Sequence, residues 1–166
     1  MKTEDDKRVK ECSGKDAPVS KLKIVKNNTE VTGLRGALAR ESASLVSFYA
    51  QIRDQIKNVG PFREYQGESM LHLARQKYSG ELYLGPSFPA IVGAGPNGAI
   101  VHYRPTEENH SSSDNLKTPI LIDTGGHYLD GTTDTTRTLA FSDEVATEYE
   151  DLKEMYTRVL MGNLDL

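Results

Sequence analysis

A chain of 166 residues has room for one domain that buries roughly two thirds of its unfolded surface, and a net charge of −4 argues against a nucleic-acid surface. No apolar run approaches the roughly 20 residues of a membrane span, and the amino terminus MKTEDDKRVK lacks the apolar core of a signal peptide. A single cysteine, Cys12, excludes an internal disulfide, so a reducing, cytoplasmic location is the simplest expectation.

Residues 1–17 are charged and almost free of large apolar side chains. They read as a flexible polar tail or linker remnant, because burial cannot offset their ordering entropy. From Asn27 onward, Val31, Leu34, Leu38, Leu45, Phe48, Tyr49, Ile52 and Ile56 recur at helical spacing, which predicts one amphipathic helix. Asn28 or Thr29 can cap it, and the stretch from Asn58 to Pro61 stops it. Arg35, Arg40, Glu41, Arg53 and Asp54 fall on the other side and read as a solvated face. A second, shorter helix is predicted over about Glu64 to Lys77, with Met70, Leu71, Leu73 and Ala74 inward and Gly80 after its end. His72 within it has no Cys, His or acidic partner at ligand spacing and reads as a surface or half-buried histidine.

From Ser87 the texture changes to short β-prone runs. Phe88 to Val92 and Ala99 to Tyr103 predict two strands joined by GAGPNG. That hexapeptide lacks the Lys-Ser/Thr of a phosphate loop and the spacing of a dinucleotide fingerprint, so it reads as a turn. His102 lies on the second strand, and by itself a strand histidine suits a structural role as well as a catalytic one. Arg104 to Lys117 is a polar loop without periodicity. Asn27 and Asn109 begin glycosylation sequons that read as chance without a secretory signal. A last helix is expected from about Asp143, capped by Ser142 or Asp143, with Val145, Tyr149, Leu152, Met155, Tyr156, Val159 and Leu160 as its apolar stripe.

Between loop and helix, residues 119–141 read PILIDTGGHYLDGTTDTTRTLAF, two extended runs around an Asp-Gly turn signal. Asp123 ends the first run and Asp134 opens the second. If Leu129 to Thr132 reverse the chain, both carboxylates reach one end of a twisted hairpin. A carboxylate on a mostly buried strand is costly unless a cation or hydrogen bonds satisfy it. Two facing carboxylates repel unless positive charge lies between them, which is the logic of oxygen-ligated metal pairs. The same acids also suit Asx turns, which need no metal. Thr136 and Thr138 could donate hydrogen bonds to them, or pair structurally along a strand.

The block DTGGHYLDGTTDTTRT, with SFPAIVGAGPNGAIVHYRP some twenty residues earlier, closely resembles the Xaa-Pro aminopeptidases (aminopeptidase P), metallopeptidases of the creatinase or pita-bread fold. GPNGAIVHY with DGTTD looks most like the cytosolic eukaryotic branch. The resemblance covers about Pro18 to Leu166. It implies an α+β fold, the N-terminal half of a pita-bread domain with an antiparallel sheet and flanking helices, so that 18–166 would be the first half of an incomplete catalytic domain. It implies that Asp123 and Asp134 are metal ligands and that His102 is a catalytic, substrate-binding histidine. Two divalent metal ions are implied, Mn first, with Zn or Co as alternatives. The implied partner is a peptide with an Xaa-Pro amino terminus. Half a sheet without its partner half should expose a strand edge and an apolar face, so a homodimer is expected, and charge and hydropathy give no expectation of a nucleic-acid or membrane partner. The family's remaining ligands, a histidine and two glutamates, would lie beyond Leu166, and Asn163 stands where relatives often have His. The chain alone is therefore expected to be inactive. A non-catalytic relative or fragment that binds peptides or proteins is an alternative, as is a prolidase-type dipeptidase; the presence of Asp123, Asp134 and His102 together favours the enzyme.

Overall fold

The computed structural model describes residues 17–109, 112–113, 118–142, 145 and 151–166. The expected tail thus lies outside the described residues apart from Ala17, as does the expected start of the last helix apart from Ser142 and Val145.

A short helix α1 (Pro18–Ile24) buries nothing. The long helix α2 (Asn28–Asn58) is capped by Asn27, one residue before the expected caps. The Asn27 side chain accepts the Glu30 N–H at 2.9 Å, and the Glu30 carboxylate accepts the Asn27 N–H at 2.9 Å, a reciprocal box that satisfies two otherwise orphaned donors. Its buried face carries Ala37, Glu41, Ser44, Leu45, Phe48 and Ile52. Two expectations fail here: Leu38 is exposed, and Glu41 is buried rather than solvated. Position 41 follows Ala37 and precedes Leu45 by one helical step each, so the 3.6-residue period points it inward whatever its charge.

A two-residue strand β1 (Phe62–Arg63) and a 3-10 turn (Glu64–Gln66) lead into α3 (Gly67–Ser79), which packs on α2 and buries Leu71 and Ala74. Leu73, expected inward, is exposed. Gly80 ends the helix at φ +51°, a conformation glycine adopts without strain.

The strands that follow are β2 (Tyr83–Pro86), β3 (Ile91–Ala94), β4 (Ser112–Ser113), β5 (Ile120–Thr124), β6 (Gly126–Tyr128), β7 (Gly131–Thr132) and β8 (Thr135–Leu139). Among the described residues all strand pairings are antiparallel: β1 with β4, β2 with β6 and β6 with β7, and β3 with β5 and β5 with β8. Three expectations change. The run from Phe88 becomes a strand only at Ile91, the expected loop over 104–117 contributes Ser112 and Ser113 to pairing with β1, and Ala99 to Tyr103 form no strand. Of GAGPNG, expected as a turn throughout, Gly93 and Ala94 finish β3, and the turn begins at Gly95, with Gly95–Ala99 in 3-10 conformation.

Phe48, Ile52, Phe62, Leu71, Val92, Ile120 and Ile122 join into one core between α2, α3 and the β3-β5-β8 sheet. Fully burying each such side chain is worth about 1.5–3 kcal/mol before entropy is charged against it. Along β5 the pleat alternates, with Ile120, Ile122 and Thr124 buried and Leu121 and Asp123 less so. The helix α4 (Leu152–Leu164) has no buried residue, and Met155, Tyr156, Val159 and Leu160 of the expected stripe are exposed.

Candidate active site

Asp123 sits one residue from the end of β5, on the face opposite Ile122, so the strand that fills the core also presents a carboxylate outside it. Across the sheet its register partner is Thr136 of β8, whose hydroxyl donates to Asp123 Oδ1 at 2.6 Å. Among the described residues the second carboxylate oxygen has no hydrogen-bond partner. No such bond to either acid is found for Thr138 among the described residues.

The chain then reverses once, in a hairpin whose register runs unbroken from Ile120 opposite Leu139 to Tyr128 opposite Gly131. Gly125 lies between β5 and β6 on the first arm, where a Cβ would run into the Thr133 carbonyl and the Ser87 hydroxyl. Leu129 and Asp130 form the reversal, between Tyr128 and Gly131. Thr133 closes the arrangement: its N–H donates to the Gly126 carbonyl at 2.9 Å, and its hydroxyl accepts the Gly126 N–H at 2.9 Å. The next residue is Asp134, which lines the same pocket as Asp123. Asp134 has no hydrogen-bond or ion-pair partner among the described residues.

His102 lines that pocket too, together with Phe88, Pro89, Ile91 and Arg104. The three residues singled out from sequence therefore meet. His102 does so from a turn rather than a strand: the Tyr103 N–H donates to the Ile100 carbonyl at 3.2 Å, and His102 has φ +57°. The segment from the end of β3 to Tyr103 closes on one buried carboxylate instead of continuing as a strand. Glu64 accepts the Ala94 N–H at 2.5 Å, the Asn97 amide at 3.2 Å and the Tyr103 hydroxyl at 2.8 Å. Burial, and then the hydrogen bond to Glu64, push the Tyr103 phenol up to about 12.

A second buried carboxylate lies under the hairpin. Glu41 receives both arms of the Arg75 guanidinium at 2.9 and 2.6 Å and also the Tyr128 hydroxyl. Arg75 in turn donates to Thr124 Oγ1 at 2.9 Å, next to Asp123. Burial and the Glu41 hydrogen bond raise the Tyr128 phenol above its ordinary value. Sequence reading missed Glu64, Asn97, Tyr103, Arg75 and Thr124. The available signal was the helical period, which puts Glu41 in step with Ala37 and Leu45, and Arg75 in step with Leu71.

The donor set suits a hard divalent cation. Two carboxylates share one pocket, neither is ion-paired to Lys or Arg among the described residues, and oxygen donors are what such ions take. Among the described residues no group of three or more His, Cys, Asp or Glu side chains gathers that could hold a metal ion.

Residues 32–165 match metallopeptidase family M24, and the chain belongs to that family. It is 38% identical over 162 residues to a probable Xaa-Pro aminopeptidase P of Laccaria bicolor, an alignment covering 94% of this chain and 24% of that protein. It is 39% identical over 147 residues to the Xaa-Pro aminopeptidase ApepP of Drosophila melanogaster, covering 89% and 23%. The structure is similar to that of the X-prolyl aminopeptidase of Caenorhabditis elegans, a cytosolic enzyme with a di-nuclear active site. The TM-score is 0.68 at 27% identity, covering 80% of this chain and 22% of that one. The fold is accordingly that expected for part of a pita-bread aminopeptidase. The chain spans about a quarter of the length of the curated relatives it matches, and no described helix is long and apolar enough to cross a membrane.

Proposed function

We propose that residues 18–166 are the first half of a pita-bread catalytic domain that releases the amino-terminal residue from peptides with proline in second position. The observation that carries this reading is the convergence of Asp123 and Asp134 of the hairpin and His102 of the 100–103 turn on one pocket. Divalent metal ions, Mn in this reading, held by Asp123 and Asp134, would supply Lewis-acid activation of water and of the substrate carbonyl. Thr136 keeps Asp123 oriented by its 2.6 Å hydrogen bond. His102 donates a hydrogen bond to negative charge developing on the scissile carbonyl oxygen. Phe88, Pro89 and Ile91 give the pocket an apolar wall against which a proline ring excludes water.

Titration calorimetry with Mn tests the ligand assignment. This chain should bind the ion weakly, because two carboxylates leave most coordination positions to water, and Asp123→Ala or Asp134→Ala should abolish binding. In the active enzyme the same substitutions should remove metal and Xaa-Pro cleavage together. Full metal content with near-normal cleavage in the Asp134→Ala enzyme would sink the assignment.

The same reading places the protein in the cytoplasm as a homodimer. The exposed Met155, Tyr156, Val159 and Leu160 of α4 support self-association, since chains usually cover such apolar faces. Light scattering should report a dimer, and a monomer at high concentration would count against it.

A further inference from the structure

His102 is the sole non-glycine residue with positive φ among the described residues. Side chains are disfavoured in that conformation, which persists where surroundings over-determine it and marks sites where geometry matters. Burial of the segment is not what holds it, because Ile100 and Val101 on its approach are 51% and 81% exposed. What holds it is polar. Tyr103, the next residue, is buried and sends its hydroxyl to Glu64 at 2.8 Å while accepting the Asn97 amide at 2.9 Å. Asn97 also donates to Glu64, and Glu64 takes the Ala94 N–H at the other end of the segment. One carboxylate, 1% exposed, thereby closes residues 94–103 into a loop, and His102, beside its closing end, lines the pocket of Asp123 and Asp134.

We propose that Glu64, Asn97 and Tyr103 form a clamp of positioning residues that sets His102 over the carboxylate pair. This rests on the metallopeptidase reading above. The clamp touches neither aspartate among the described residues, so loosening it should move the imidazole and leave the carboxylates in place.

Nuclear magnetic resonance on this chain separates the two. The one-bond Cα–Hα coupling of His102 reports the left-handed backbone without any metal, and broadening by added Mn reports proximity to the ion. In the wild type, the Asp123 and Asp134 amides and the His102 ring should all broaden. Tyr103→Phe, which removes one hydroxyl and keeps the ring, should return the His102 coupling to the ordinary range. It should also cut the His102 ring broadening severalfold while leaving the aspartate amides as they were. Glu64→Gln should behave in the same way and serves if the first variant does not fold. Unchanged coupling and broadening at His102 in a folded variant would overturn the clamp. Absence of broadening at the aspartates in the wild type would overturn the metal reading itself, and the clamp's functional role with it.

Discussion

Arg75→Ala should cost about 3–5 kcal/mol of folding stability, the usual penalty for leaving one member of a buried ion pair without its partner. Glu41 is 1% exposed and Arg75 2% exposed, so the abandoned carboxylate could not turn to water. It would keep only the Tyr128 hydroxyl among the partners now seen. Domains of this size are stable by about 5–15 kcal/mol, so the variant should lose a large share of the total or fail to fold. Urea denaturation measures it. Replacing both partners with apolar residues of similar volume, Glu41→Leu with Arg75→Met, should recover most of the loss, because the cost lies in an uncompensated charge rather than in a missing attraction. A cost below about 1 kcal/mol for Arg75→Ala would mean that water reaches Glu41. The variant should also disturb the site, since Arg75 holds Thr124 and Thr124 follows Asp123 directly on β5.

The second large effect is catalytic. In the active enzyme, His102→Ala should lower turnover on the order of a hundredfold, the cost of losing one donor aimed at developing charge, and should leave the metal content unchanged. The two outcomes separate because His102 reaches the pocket from the 100–103 turn while both carboxylates belong to the hairpin. Metal analysis beside peptide cleavage decides between the readings. Metal lost in parallel with turnover would make His102 a ligand, and unchanged turnover would leave it a surface residue of the turn.

The elements that depend on local spacing were legible from the residues alone. The apolar period predicted α2 nearly to its ends and the Asp-Gly signal predicted the reversal at residues 129–131; Asp123 and Asp134, expected at one end of that hairpin, line one pocket from within its arms. The motif block carried the family, because its chemistry sits within one short stretch.

What tertiary structure decided was the partner of each buried charge. A helical period says which way Glu41 points, but the guanidinium that makes this tolerable lies 34 residues away on another helix. Composition therefore favours a solvated glutamate where the fold holds a paired one. The conformation of residues 99–103 has the same origin. Val101 and Tyr103 favour extended backbone, and that preference is outweighed by a carboxylate 39 residues before Tyr103 that binds its hydroxyl and the Ala94 N–H. Hydrogen bonds between distant residues leave no periodic trace in a sequence, so the turn that aims His102 became visible only once the chain was folded.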